Sequence, residues 1–469
     1  MPRNFIRADD VDQSFLMPPD VREWLPEGEL AWCVRDVVET LDLTVFYNAY
    51  RANGQGRAAF HPAMMVAVLL YAHAVGVRSS RQIERLCRRD VAFRVLAGNL
   101  APDHATLARF VVRHRDGLTG LFAQALRLCA EAGMVRLGEI AIDGTKIAAN
   151  AAYDRNHSEA ALRHQVAETE ARLKEQAGDL LGEQIATDAA EDTLFGTDQR
   201  GDELPNELRR QQERLARLRA ARDRLAAERA AVHQEHEAKK EAWRARKEAG
   251  VRHAGRKPSE SPPATSVQPR GNRPRANTTD PDSRMMQVGR ALLPGYNAQA
   301  AVTNTQVIVG AHLTNQASDK PLLHEVLDAT RAQLQSAGID PVLSTVLADT
   351  GYAGEDVFAR GEAAGLHLLI PIPDGRRKAG ENARTGAARD LTRYPATARA
   401  QAKLATRQGQ WHYARRRETV EPVFAQIKDR QGLRQFSRRG LANVEAEWTL
   451  ACTAHNIRKF HTHRQARRP

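Results

Sequence analysis

Strand-type apolar patterning begins in this chain at residues 135–154, stops, and resumes only near residue 295, after a long charged stretch. That interruption constrains the fold more than any other feature. The first strand, VRLGEIAID, has to find partners far along the sequence, in GYNAQAAVTNTQVIVGAHLTN (295–315), VLSTVLAD (342–349) and LHLLIPI (366–372). Helical patterns near 320–337 and 354–364 separate those runs. Strands alternating with helices predict an α/β mixed sheet with helical cover, split by an insertion after its first strand.

The interrupting segment is itself patterned. From about 157 to 250 it is charged and poor in aromatics, with leucines at 208, 215, 218 and 225 in partial heptad spacing. Arg222 and Arg229 fall on the seam, which suits a helical hairpin better than a long intersubunit coiled coil. Residues 251–280, rich in Pro, Arg and Ser, read as a flexible exit, so the insertion as a whole covers 155–280. A basic loop at about 374–410 precedes a final helical region.

Upstream, helical spacing at 28–41, 61–75, 79–97 and 103–132 predicts an all-α domain over residues 1–134. Ser79 and Ser80 can cap a helix exposing Arg81, Arg85, Arg88 and Arg89, and Pro102 and Asp103 can start another carrying Arg109, Arg113 and Arg115. Two short basic helices in succession can place one in a DNA groove. The plainer reading, arginines solvating ordinary helix surfaces, carries equal weight on this pattern alone.

Composition narrows the partners. At 469 residues with 42% hydrophobic content the chain can bury more than one core, and a formal charge of +12 favours a polyanionic partner. Cys33, Cys87, Cys129 and Cys452 lie too far apart for a zinc ribbon or disulfide framework, which fits a reducing cytosol. The N-terminus lacks the basic-then-apolar order of a signal peptide. The longest apolar run, around Ala63 to Ala74, is too short for a membrane span and carries His73.

Carboxylates mark the chemistry. Asp143 and Asp349 each end an apolar strand and precede a glycine-bearing turn, DGTK and DTGY. Strand ends are where α/β sheets build ligand sites, although an aspartate there also serves as a turn or cap residue. Further on, Arg417, Glu421 and Lys428 share one helical stripe beside the apolar Val420, Val423, Phe424 and Ile427, while Glu418 is rotated toward solvent. Pro422 requires this helix either to begin at about Thr419 or Glu421, leaving Arg417 just outside it, or to kink. Three oxygen donors suit Mg²⁺ or Mn²⁺, two of which can drive in-line displacement at a phosphodiester. Lys146, Arg417 and Lys428 are placed to hold phosphates.

The segments IAIDGTKIAAN, VLADTGYAGEDV and RRRETVEPVFAQIKDRQGLRQFSRRG, in that order, resemble the DDE transposases of bacterial insertion sequences, and the resemblance covers nearly the whole chain. PAMMVAVLLYAHAVGVRSSRQIERLCRRDVAFRVLAG with PDHATLARF resembles their N-terminal helical domain, and DPDSRMM and GYNAQAAV match the same subgroup. The resemblance implies an RNase H-like core formed by 135–154 and 281–460, a basic tail at 461–469, and two bound divalent ions held by Asp143, Asp349 and Glu421. It implies recognition of terminal inverted repeats, cleavage, and attack of a 3′-hydroxyl on target DNA, with a homodimer assembled on DNA in the bacterial nucleoid. Arg417 and Lys428 match the arginine and lysine of the family signature. Its tyrosine position holds Ala414, with Tyr413 one place away. A hydrolytic nuclease of the same fold, a DNA-binding regulator and a small-substrate metal hydrolase are the competing readings.

Overall fold

The computed structural model describes residues 21–50, 58–176, 206–249, 257–260, 275–372, 391–392 and 394–467. The N-terminal region is helical: α1 (Leu30–Thr40), α2 (Thr44–Asn48), α3 (Pro62–Ala74), α4 (Ser80–Arg89), α5 (Val91–Leu96), α6 (His104–Arg113) and α7 (Arg115–Glu131). Helix α3 opens on Pro62, which needs no amide partner there, and is apolar on nearly every side, so it becomes the buried axis of this unit.

The expected helices at 79–97 and 103–132 are each divided. Asp90 takes an extended conformation and its carboxylate accepts from Phe93 N at 3.1 Å, ending α4 and capping α5. His114 breaks the second, its ring packed against Phe46, Phe110 and Tyr50. Asp103 caps α6 through Thr106 N at 2.9 Å, whereas Ser79, at the N-cap of α4, makes no such side-chain bond.

The sheet comprises β1 (Glu139–Ala148), β4 (Arg284–Val288), β5 (Ala291–Thr303), β6 (Ile308–Thr314), β7 (Thr345–Leu347) and β8 (His367–Leu369). Its order is β4-β5-β1-β7-β8, with β6 also on β5; β1 runs antiparallel to β5 and parallel to β7. Strand β4, not anticipated from sequence, forms a hairpin with β5 around Gly289. Helices α10 (Leu322–Ser336) and α11 (Glu355–Ala363) follow β6 and β7. The end of the expected basic loop is helical, as α12 (Pro395–Ala405) and α13 (Arg407–Ala414), while 373–390 lie outside the described residues.

Within the insertion, a helix at 159–176 (α8) and α9 (Asn206–Glu248) form an antiparallel pair, with Arg219 on Glu170 and Arg229 on Glu159. Leu162, Val166, Leu215, Leu218, Ala221 and Leu225 make its small core. Part of the expected flexible exit is ordered: β3 (Arg275–Asn277) pairs with β2 (Asn156–Ser158), closing the insertion at its base. Leu208 lies where no side chain is described.

Helix α14 (Arg416–Ala425) and the final helix, α15 (Leu441–Gln465), complete the fold. Helix α15 contributes Trp448, Ala451 and Cys452 to the sheet's core and Leu450, Ala454 and Ile457 to the N-terminal core. It extends through most of the expected basic tail. Among the described residues no helix is long and apolar enough to cross a membrane. Trp448 is fully buried, stacks on Phe424 of α14 and donates to Gln299 O of β5 at 3.2 Å. Trp448→Ala is expected to cost about 3–5 kcal/mol through the cavity and the lost contacts; chemical denaturation of the two proteins measures it, and a loss under 1 kcal/mol would contradict this account of the core.

Candidate active site

β1 does not stop at Asp143. It continues to Ala148 because β5 pairs with it residue for residue, from Ile140 against Thr303 to Ala148 against Gly295. The turn expected at Asp143 and Gly144 is therefore strand. Gly144 is required instead by a close approach: a Cβ there would lie 2.0 Å from Gln299 Nε2 and 3.0 Å from Asn297 Oδ1. Asp349 does sit at a turn, where its Oδ1 accepts from Gly351 N at 2.8 Å and caps the 3-10 turn Thr350–Tyr352.

Register brings these two aspartates together. Ala141 of β1 faces Leu347 of β7, the last paired position between them. Continuing two residues along each strand sets Asp143 level with Asp349, where β7 leaves the sheet. Asp143 Oδ1 accepts from Gly144 N and Oδ2 from Arg416 Nη2, both at 2.8 Å. Burial raises the Asp143 pKa to about 6, against the opposing pull of Arg416 and Gly144 N–H, and the carboxylates of Asp349 and Asp319 raise it further. A buried carboxyl with carboxylate neighbours favours an added cation.

Lys146 is placed differently from expectation. Side chains alternate along a strand, so Gly144 and Lys146 face away from Asp143. Lys146 Nζ donates to both Asp319 oxygens, at 2.6 and 2.7 Å, and Asn297 Nδ2 and Gln299 Nε2 donate to Asp319 Oδ1 at 2.7 and 2.9 Å. Tyr352 OH donates to Gln299 Oε1, so the turn after Asp349 is tied into the same network. Asp319 escaped the sequence reading because it lies in a polar turn, NQASDKP, with no apolar run to mark it.

Arg416 also escaped it, although a signal was present. It stands one helical turn before Val420 and two before Phe424, on the buried stripe. Helix α14 begins at Arg416 with Pro422 inside it, so of the two alternatives the late start at Thr419 or Glu421 is excluded and Arg417 lies inside the first turn. Pro422 is accommodated because Glu418 O, the carbonyl it cannot serve, accepts from Gln306 Nε2 at 3.0 Å. The helix then widens into a π turn over Gln426–Arg430.

Glu421 is not brought into contact with either aspartate. It lies five residues beyond Arg416, which on a helix is roughly 140° around and about 7.5 Å along. Its carboxylate is 55% exposed and pairs with Arg417 Nε at 3.5 Å. Among the described residues no group of three or more His, Cys, Asp or Glu stands positioned to hold a metal ion. Lys428, in the π turn, has its pKa lowered by burial and by Arg434, with Asp143 acting in the opposite sense. Burial raises Tyr413, which lies within the electrostatic reach of Arg416, Asp349 and Asp143.

The basic helices present Arg81, Arg85 and Arg109 to solvent. Arg109 donates to Thr106 Oγ1 at 3.0 Å. Arg113 is exposed as well, with its guanidinium over the Tyr50 ring at 4.6 Å and donating to Ala49 O.

Against known protein families, residues 264–457 match the one described as Transposase DDE domain, and residues 19–113 match the one described as Transposase domain (DUF772). No curated protein and no solved structure matches the chain. The first match begins after β1, so Asp143 joins the reading through sheet register.

The raised Asp143 pKa has a measurable consequence in metal-free protein. A carboxyl with a higher pKa folded than unfolded contributes stability below the ordinary value of 3.8, which is lost as pH rises toward 6. Comparing urea midpoints of wild type and Asp143→Asn between pH 4 and 7 should show a downward wild-type slope that the variant lacks. Parallel slopes would mean that Asp143 is not buried as described.

Proposed function

This chain belongs to the DDE transposases of insertion sequences, and on that premise we propose that it binds the terminal inverted repeats of its element and cuts and joins DNA with Asp143, Asp349 and Glu421 as metal-binding carboxylates. Membership makes it an enzyme acting on DNA, and its mixed sheet is the RNase H-like core of that family. What supports the residue assignment is that the β1–β7 pairing ends at Ala141 against Leu347, two residues before Asp143 and Asp349, and that the Asp349 carboxylate lies close enough to raise the Asp143 pKa.

The donor chemistry fits hard divalent ions. All three side chains offer oxygen, Asp143 sits in a carboxylate field, and the guanidinium now on Asp143 occupies a position suited to positive charge. Glu421 is engaged only by an exposed ion pair worth about 0–1 kcal/mol, and because it lies around the helix from Arg416, its recruitment would require α14 to turn or shift toward the aspartates. Bound Mg²⁺ or Mn²⁺, in a pair, would activate the attacking oxygen and neutralise charge at phosphorus.

The chain's own residues prepare that chemistry. Gly144 N–H and Arg416 orient the Asp143 carboxylate, and Gly351 N–H fixes Asp349. Arg417 and Lys428 hold phosphates beside the acids, while Lys146 braces Asp319 and with it the turn that carries Asp349. Arg81, Arg85, Arg109 and Arg113 belong to the DNA-binding surface of the domain at 1–134, of which Arg113 shapes the fold around Tyr50. Residues 135–154 with 281–460 form the catalytic domain, and 155–280 the insertion. Joining two element ends requires two active sites, so a homodimer on DNA belongs to the same reading.

A labelled duplex carrying the terminal repeat, with Mg²⁺ or Mn²⁺, tests it. Wild type should nick at the repeat boundary and join ends. Asp143→Ala, Asp349→Ala and Glu421→Ala should each bind the duplex yet lose cleavage by at least a hundredfold, about 2.7 kcal/mol or more of barrier. Variants that cut like wild type would remove the triad, and cutting without joining would favour a hydrolytic nuclease.

A further inference from the structure

A cleft of about 680 Å³ opens where the N-terminal helices meet the sheet domain. One wall is the start of α4 with Arg78, Ser80 and Arg81. The other is formed by chain beyond β1 and beyond the π turn, with Asn150, Ser437 and Arg438. No aspartate or glutamate is among its lining residues, and the first turn of α4 carries no acid.

The charges are unevenly satisfied. Arg78 pairs with buried Glu447, whose oxygens also accept from Ser437 N, Ser437 Oγ and Arg438 N. That carboxylate is saturated and lies outside the lining. The Arg438 guanidinium has neither a hydrogen bond nor an ion pair among the described residues, although burial lowers its pKa. Arg438 is half-buried and faces the cleft with no carboxylate beside it, so an anion seated there would meet a cation that is not already neutralised. His73 reports the same field: burial, then Arg78 and Arg438, lower its pKa to about 4. The N-terminal amides of α4 add donors on the opposite wall.

Location identifies the anion. Gln435 bridges Ala148, and Phe436 N donates to Ala148 O at 2.8 Å, so this wall is the continuation of β1 itself. From Asp143 to Ala148 the strand advances roughly 17 Å, at about 3.3 Å per residue. That distance corresponds to about five base-pair steps of duplex.

We propose that this junction cleft seats a backbone phosphate of the DNA duplex, gripped at once by α4 and by Arg438, so that DNA held on the N-terminal helices is aligned with β1. The inference rests on the transposase reading for its ligand. Its test is independent of cleavage.

Affinity of the full chain for a fluorescent duplex is measured in EDTA across a salt series, for wild type, Arg438→Gln, Arg438→Lys and Arg81→Gln. Arg438→Gln should weaken binding about tenfold and flatten the log–log salt slope by about 0.9, the loss of one phosphate contact, with Arg438→Lys largely restoring both. If Arg438→Gln lowers the melting temperature, Arg81→Gln, on an exposed position, should still flatten the slope. Wild-type affinity and slope in both glutamine variants would overturn the proposal. So would inorganic phosphate binding to the cleft that duplex fails to displace. Either failure leaves metal-dependent cutting by wild type, and hence the transposase reading, standing, although an unchanged Arg81→Gln would also take Arg81 off the DNA-binding surface.

Discussion

Strand β1 is held by two kinds of pairing that end at different points. On one side β5 follows it from Ile140 to Ala148; on the other β7 accompanies it only from Glu139 to Ala141. Beyond Ala141 the strand keeps its position through β5, with a single bridge from Ala148 to Gln435 at its far end, and Asp143 stands where β7 departs. A carboxylate at the end of β1 would inherit the disorder of a turn. Placed inside a paired strand, it has a rigid backbone behind it and open space beside it. Gly144 completes the arrangement, because any side chain there would collide with Gln299, which helps hold Asp319 and, through Tyr352, the turn that follows Asp349.

The N-terminal helices are fixed to this sheet rather than tethered to it. Helix α15 belongs to both cores, and Asn456 on it pairs with the backbone of Ile308 through both its amide atoms, at 2.8 and 2.9 Å. At Gly76, with φ of +84°, a Cβ would lie 2.6 Å from Arg430 O, so the loop before α4 can approach the π turn only as glycine. Arg78 and Glu447 close the same junction with a buried ion pair, of the kind whose disruption costs about 3–5 kcal/mol. The domain proposed to hold DNA ends and the sheet proposed to cut them therefore share one mechanical frame.

Much of this was legible in the sequence, for physical reasons that can be traced. Long apolar runs announced β5, β6 and the two parallel strands, and the Pro-led apolar run announced α3. The hairpin of the insertion followed from leucine spacing with arginines on the would-be seam. What escaped was set by partners remote in sequence. Nothing local to DGTK says that β5 will carry β1 past Asp143. Nothing local to Pro422 says that Gln306 will satisfy the carbonyl it abandons. Asp319 and Arg416 complete the surroundings of the aspartates through long-range contacts, and of the two only Arg416 had a periodicity that marked it as inward-facing.

The central claim is that Asp143 and Asp349 bind metal together. Iron-mediated backbone cleavage tests it most directly: Fe²⁺ is loaded in place of Mg²⁺, ascorbate and peroxide are added, and the protein fragments are mapped. The account predicts cuts clustered at β1 near residue 143 and at the turn near residue 349, suppressed by excess Mg²⁺ and lost in Asp349→Ala. Metal-dependent cuts confined to other parts of the chain, with neither segment touched, would contradict it.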